Sequence, residues 1–241
     1  MKSVPCLLLA ASLAGTGIIF SQAPPAAEKA WPAHSMERPR PAVVEPKYDG
    51  KPVAAPAGAT ILFDGNSLEA WKNGGQAAKW RLAEGFMEVV PGTGAMKCEI
   101  ALKGDGHLHI EWATPAVVKG EGQGRGNSGV FLDGFPEVQV LDSYQNDTYP
   151  DGQAAALYGK QPPLANASRK PGEWQSYDIV IRRAVVKDGK VVEKARLSVT
   201  HNGVLVQDAV EIDNRNDSSQ LEFQDHGNPM RFRNIWFKLM P

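Results

Sequence analysis

Four stretches of this sequence carry side chains that could move protons or hold a polar ligand. Glu137-x-Gln139-x-x-Asp142 sets two carboxyls around an amide. In a regular strand Glu137 and Gln139 share a face and Asp142 points to the other, unless a β-bulge intervenes. His226 follows the strand-like run 221–224, and an imidazole titrates near neutrality, which suits a base or an acid. Arg233 alternates with Phe232, and its guanidinium could make paired contacts to a carboxylate such as Glu137. His107, His109 and Glu111 alternate with Leu108, Ile110 and Trp112. With His226 they offer enough nitrogen and oxygen donors for a divalent ion, without a specific spacing signature. The sequence therefore requires no cofactor, while a divalent metal has ligands to choose from.

These residues need elements to carry them, and the elements read as strands. Apolar and polar residues alternate with period two at 107–112, 137–140, 177–181, 197–200 and 231–235. Gly-Asn, Asp-Gly and Pro-Gly pairs punctuate the runs, and Asn202-Gly203 before Val204 is a tight-hairpin signal. Helical periodicity is confined to about one turn near Ser67 to Trp71. The expected fold is all-β, an antiparallel sandwich of two packed sheets. In such a sandwich the faces carrying His107, His109 and Glu111, Glu137 and Gln139, and Arg231 and Arg233 point away from the core, where a groove could form.

The chain begins MKSVPCLLLAASLAGTGIIFSQA. One lysine precedes an apolar run too short and too rich in small residues for a comfortable membrane span, the pattern of an export signal over residues 1–23. An exported protein, periplasmic, secreted or at the cell surface, is expected. Residues 24–58 follow without apolar periodicity, and eight of the eighteen prolines fall within 22–58. Proline removes amide donors and extends its neighbours, so a disordered arm is expected there. The sandwich domain then occupies residues 59–241.

Several functions are excluded by composition. The 26 Lys+Arg against 27 Asp+Glu leave a net charge of −1, which argues against a nucleic-acid partner. Two cysteines, Cys6 and Cys98, cannot build a disulfide scaffold or a cysteine zinc cluster, and Cys98 reads as a small core residue. No Gly-x-Ser-x-Gly elbow, phosphate loop or dinucleotide fingerprint occurs. The stretch Asn146-Asp147-Thr148-Tyr149-Pro150-Asp151-Gly152 offers hard oxygens suited to calcium, but its Asx, Pro and Gly residues favour a turn.

A set of motifs resembles one family in order along the chain. They are Leu62-Phe63-Asp64-Gly65, Glu111-Trp112, Gly126-Asn127-Ser128-Gly129-Val130-Phe131, Glu137-Val138-Gln139-Val140-Leu141-Asp142, Ala156-Leu157-Tyr158-Gly159, Gly172-Glu173-Trp174-Gln175, Gln224-Asp225-His226-Gly227 and Arg231-Phe232-Arg233-Asn234-Ile235. Together they resemble the 3-keto-disaccharide hydrolase domain, formerly domain of unknown function 1080, over about residues 59–239. The resemblance implies a concanavalin- or laminin-G-like jelly roll and a carbohydrate substrate, a glycoside already oxidised at C3.

That ketone acidifies the C2 proton. A base can remove it, and the anomeric oxygen then leaves from the position β to the carbonyl. Such a route needs a base, an enolate-stabilising group and an acid, with His226, Glu137 and Arg233 as catalytic candidates. Glu111, Asn127, Gln139 and Asp142 are candidates for binding sugar hydroxyls, and Tyr158 and Trp174 for stacking on a sugar face. A separate 3-oxidising glycoside dehydrogenase would act upstream. Two alternatives stay open. A conventional glycosidase would need paired carboxylates, and Gln139 stands where a glucanase-type pattern has its central acid. A non-catalytic carbohydrate-binding sandwich would share the fold without the chemistry.

Overall fold

The computed structural model describes residues 30–241. The export signal expected over 1–23 and the first residues of the arm lie outside that range. Two antiparallel sheets form a jelly-roll sandwich, as the alternation requires. One sheet has six strands in the order Val138–Leu141, Asn127–Leu132, Ser218–Phe223, Met96–Lys103, Trp71–Asn73 and Gln76–Ala77. The other has eight. Seven run in the order Val204–Ile212, Ala195–His201, Gln175–Arg182, Gly106–Ala113, Arg231–Leu239, Phe86–Glu88 and Arg81–Ala83, and Thr60–Phe63 pairs with Arg231–Leu239.

The core lies between the sheets and takes the apolar half of each alternating strand. Leu108, Ile110 and Trp112 meet Val130, Leu132, Val138 and Val140 there. Stacked rings bridge the sheets where Phe223 lies 4.1 Å from Phe232, and Trp71 of the six-stranded sheet stacks 5.3 Å from Phe223, centroid to centroid. Cys98 is buried in this core and burial pushes its thiol up. Asn202 and Gly203 both adopt positive φ, 50° and 76°, and close the hairpin with His201 opposite Val204. The turn near 67–71 is a turn and no more; the Trp71 amide donates to the Leu68 carbonyl at 2.9 Å.

One expectation fails. The described part of the proline-rich arm, residues 30–58, is laid against the domain. Ala42–Val43 pairs in parallel with Ala165–Asn166. The amides of Lys47 and Tyr48 both donate to the Asn202 carbonyl, at 2.8 and 3.1 Å. The Val53 amide donates to Glu111 Oε1 at 2.8 Å. Proline content hid this, because the arm is held by its remaining amides and by single anchor residues, which need no periodic pattern.

Candidate functional site

The outer face of the six-stranded sheet holds one group of expected residues. Val138–Leu141 and Asn127–Leu132 pair in continuous register, with Gln139 opposite Gly129 and Leu141 opposite Asn127. With Val138 and Val140 turned inward, Glu137, Gln139 and Asn127 turn outward together. The segment after residue 153 lies along the edge of this strand. The Ala155 amide donates to the Gln139 carbonyl at 2.9 Å and the Tyr158 amide to the Glu137 carbonyl at 3.0 Å, so Tyr158 stands beside Glu137. From beneath, the Tyr177 hydroxyl crosses from the eight-stranded sheet to donate to the Gln139 carbonyl at 2.6 Å.

Glu137 is partly buried, and its carboxyl makes no hydrogen bond or ion pair among the described residues. Burial alone pushes its pKa up to about 7. The carboxyl is thus balanced between its two protonation states near neutrality, a property that functional acids and bases share. Amides surround it. Gln139 Nε2 donates to Gln123 Oε1 at 2.9 Å, and Asn127 Nδ2 donates to the Gln123 carbonyl at 2.7 Å. Asn127 Oδ1 is buried and has no hydrogen-bond partner among the described residues.

Two residues that the sequence reading missed complete this face. The Tyr149 and Tyr158 hydroxyls are 2.6 Å apart. Burial, the Tyr158 hydroxyl and the charges of Asp151 and Glu137 raise the Tyr149 pKa, so it keeps its proton. The ring of His34, from the arm, lies 4.4 Å from Tyr149 and 5.1 Å from Tyr158. Tyr149 sits in a loop whose turn formers dominated its reading, and His34 sits in the proline-rich arm. Neither carries a local signal of a site, because loop closure alone brings them to Glu137.

A second group of expected residues gathers on the outer face of the other sheet and is covered. Arg233 Nε donates to Glu111 Oε2 at 2.7 Å, its NH2 donates to the Gly50 carbonyl at 2.8 Å, and its guanidinium lies 4.0 Å from the Trp174 ring centroid. Asn234 Nδ2 donates to Glu111 Oε1 at 2.7 Å. Burial disfavours the Glu111 charge, yet His109, Asn234, the Val53 amide and Arg233 overcome it and hold the carboxyl below its usual value. Asp178 lies between His107 at 2.8 Å and His109 at 2.7 Å. Burial works against the His109 imidazolium, but Asp178 and Glu111 outweigh it and the pKa is raised. Glu111 and His109 are fully buried. The expectation that Arg233, Glu111 and Trp174 join Glu137 is therefore corrected: they belong to the opposite face, where they anchor the arm. The open groove expected at His107, His109 and Glu111 does not form: the Val53 amide covers Glu111, and the Trp236 ring packs 4.9 Å from both histidine rings, leaving His107 partly exposed.

The remaining residues fall elsewhere. His226 is exposed on the loop after Ser218–Phe223, at the rim of the Glu137 face, where the Gln224 amide donates to the Gly129 carbonyl at 3.1 Å and Asn228 Oδ1 accepts from the Asn127 amide at 2.9 Å. His107 and His109 lie on the strand Gly106–Ala113 of the eight-stranded sheet and His226 on this loop, and the four-residue metal set does not assemble. Among the described residues no group of three or more His, Cys, Asp or Glu is placed to hold a metal ion. Asp142 is buried and paired with Arg125, whose Nε donates at 2.7 Å. No bulge interrupts Val138–Leu141, so Glu137 and Asp142 do not form the carboxylate pair of a conventional glycosidase. In the 146–152 loop Asn146 accepts from the Gly122 amide at 2.9 Å and Asp151 from the His34 amide at 3.0 Å, which is turn and anchor chemistry.

Known proteins share this architecture. A crystal structure from Parabacteroides distasonis ATCC 8503, provisionally designated a glycosyl hydrolase, is 38% identical, covers 84% of this chain and 93% of its own, and superposes with a TM-score of 0.73. A second from the same organism, with the same designation, shares the fold at 20% identity and a TM-score of 0.57, covering 79% of this chain and all of its own. A Bacteroides thetaiotaomicron protein named 3-keto-disaccharide hydrolase is 28% identical over 76% of this chain and 79% of its own length. The family model for the 3-keto-alpha-glucoside-1,2-lyase-like domain matches residues 58–238. That match includes both sheets and the Glu137 face, and the chain belongs to this family as a carbohydrate-active, glycoside-hydrolase-type β-sandwich.

Proposed function

We propose that this chain cleaves 3-keto-glycosides on the outer face of the six-stranded sheet, with Glu137 as the base. The observation that carries the reading is the Glu137 carboxyl, half-buried, without a counter-ion and pushed up to about 7 by burial. A carboxylate with that pKa can remove a proton made acidic by an adjacent ketone and still be ionised at neutral pH. Glu137 takes the C2 proton, the C2–H electrons form the enolate with C3, and the C1–O bond breaks with its electron pair on oxygen. The hydroxyl pair of Tyr149 and Tyr158 protonates the leaving oxygen. Water adds to C1 of the resulting enone, its proton restores the tyrosine pair, and Glu137 returns its proton to C2, giving net hydrolysis. Gln123, Asn127 and Gln139 hold sugar hydroxyls, and His226 contributes from the rim.

The relative named 3-keto-disaccharide hydrolase supports this substrate class. The ketone itself must come from a reaction that oxidises a glycoside at C3, because the chain has no dinucleotide fingerprint. The lysine and apolar run within 1–23 support reading the enzyme as exported, which fractionation of expressing cells would check. Incubation with 3-keto-trehalose and a 3-keto-aryl glucoside, after chelation and again with a divalent ion restored, tests the activity and its metal dependence. Release of leaving group by the native protein, lost in Glu137→Gln, is the expected result. A non-catalytic sugar-binding module shares the amides and tyrosines, but it has no need of a carboxyl held near neutrality; sugar binding without turnover would favour it.

A further inference from the structure

The arm that precedes the family-matched residues 58–238 runs from the Glu137 face to the opposite face of the sandwich. His34 starts it against Tyr149 and Tyr158. Its backbone is fixed: its amide donates to Asp151 Oδ2 at 3.0 Å, Asp151 is fully buried, and Arg38 NH1 lies 3.8 Å from the same oxygen and donates to the Lys160 carbonyl at 3.1 Å. His34 also holds φ at 62°, a left-handed conformation that non-glycine residues keep where surrounding contacts impose it. The arm then pairs with Ala165–Asn166, passes Asn202 and ends under the Arg233–Glu111–Asn234 cluster. A segment tied down at four places delivers one exposed imidazole to the pair of tyrosines beside the unpartnered carboxyl.

We propose that His34 is a positioning residue of the Glu137 site, packing its ring at a tilt against the Tyr149–Tyr158 pair to hold their hydroxyls toward a bound sugar, so that the site is completed by a segment outside the family domain. The inference rests on reading the Glu137 face as the sugar site. It does not make His34 a proton donor, since its ring meets the tyrosines face to tilted face and not through their hydroxyls. What it supplies is orientation, and small displacements of a reacting group are costly.

The test uses the full chain with His34→Ala and His34→Phe. On 3-keto-trehalose, His34→Ala is expected to lower kcat/KM by on the order of tenfold to a hundredfold. Most of that loss should fall in kcat, and the thermal midpoint should stay near that of the native protein. His34→Phe, which keeps an aromatic ring over the tyrosines, is expected to recover most of the loss. A purely structural role would not be rescued selectively in kcat. Unchanged kinetics in His34→Ala, or no recovery in His34→Phe, overturns the proposal. If the native protein does not turn over 3-keto-glycosides, the functional reading fails by itself, and His34 is then followed by the NMR resonances of its imidazole during titration with trehalose and 3-keto-trehalose. Joint movement of the His34 and Tyr158 signals supports the inference, and a silent His34 overturns it.

Discussion

The carboxyl of Glu137 reaches over Gly129 of the neighbouring strand, the register partner of Gln139, where any β-carbon would collide with Oε1 and crowd the Phe131 ring. Glycine is required there by space and not by backbone conformation. Gly129→Ala should therefore displace the carboxylate without removing it. The expected result is a fall in kcat on 3-keto-trehalose of about a hundredfold, with a stability cost of about 1–3 kcal/mol from overpacking. Steady-state kinetics and urea unfolding on the same preparation check both.

The Glu137 carboxyl fixes the pH dependence. If it acts as a base, kcat/KM rises with pH and levels off above about 7. Glu137→Gln should lower the rate by at least about a hundredfold and abolish this rise. Stability moves the other way. The folded pKa of about 7 exceeds the usual 4.5, so the contribution of Glu137 is complete below 4.5 and is lost as pH rises through 7. Denaturant midpoints of native protein and Glu137→Gln from pH 4 to 8 should diverge in favour of the variant at the upper end.

Arg233 and Glu111 are expected to govern stability and not the chemical step. Glu111→Ala leaves the partly buried Arg233 guanidinium and the Val53 and Asn234 donors without their acceptor. A loss of about 3–5 kcal/mol is expected, with faster protease cleavage in residues 48–58. The kcat measured at a temperature where the variant stays folded should remain within about threefold of native, roughly 0.6 kcal/mol. A collapse of kcat in folded Glu111→Ala would return this cluster to the reaction.

Asp178 sits between two histidines and gives the covered face its own pH window. Burial opposes its charge, but His107 and His109 overcome that and bring it to about 2. Its contribution is present above the usual 3.8 and lost as pH falls toward 2. His109, raised above 6.5, contributes fully below 6.5 and loses its contribution as pH climbs through its folded value. The stability difference between native protein and Asp178→Asn should be largest between these limits, at about 2 kcal/mol for hydrogen bonds to a charged group. Urea titrations at pH 3, 5 and 8 test this.

The hydroxyl of Tyr177 ties the core of the eight-stranded sheet to the backbone under Gln139. Tyr177→Phe removes a buried donor while Ala155 still serves the same carbonyl. A cost of about 1 kcal/mol and a small rise in KM are expected, read by calorimetry and kinetics.

Alternation at 107–112, 138–140, 177–181 and 197–200, with the Asn202-Gly203 turn, determined the sandwich, because a period of two fixes which side chains face the core whatever the strand pairs with. The same rule put Glu137 and Gln139 on an outward face, and the ordered motifs, Asn127 among them, pointed to the family. Which outward faces meet was decided by tertiary structure. Glu111 and Arg233 obey the same alternation as Glu137, yet they belong to the other sheet and lie under the arm. Strand order and the route of an aperiodic proline-rich segment depend on contacts between residues far apart in sequence, and no local pattern encodes them. His34 reaches the Tyr149–Tyr158 pair across more than a hundred positions for that reason.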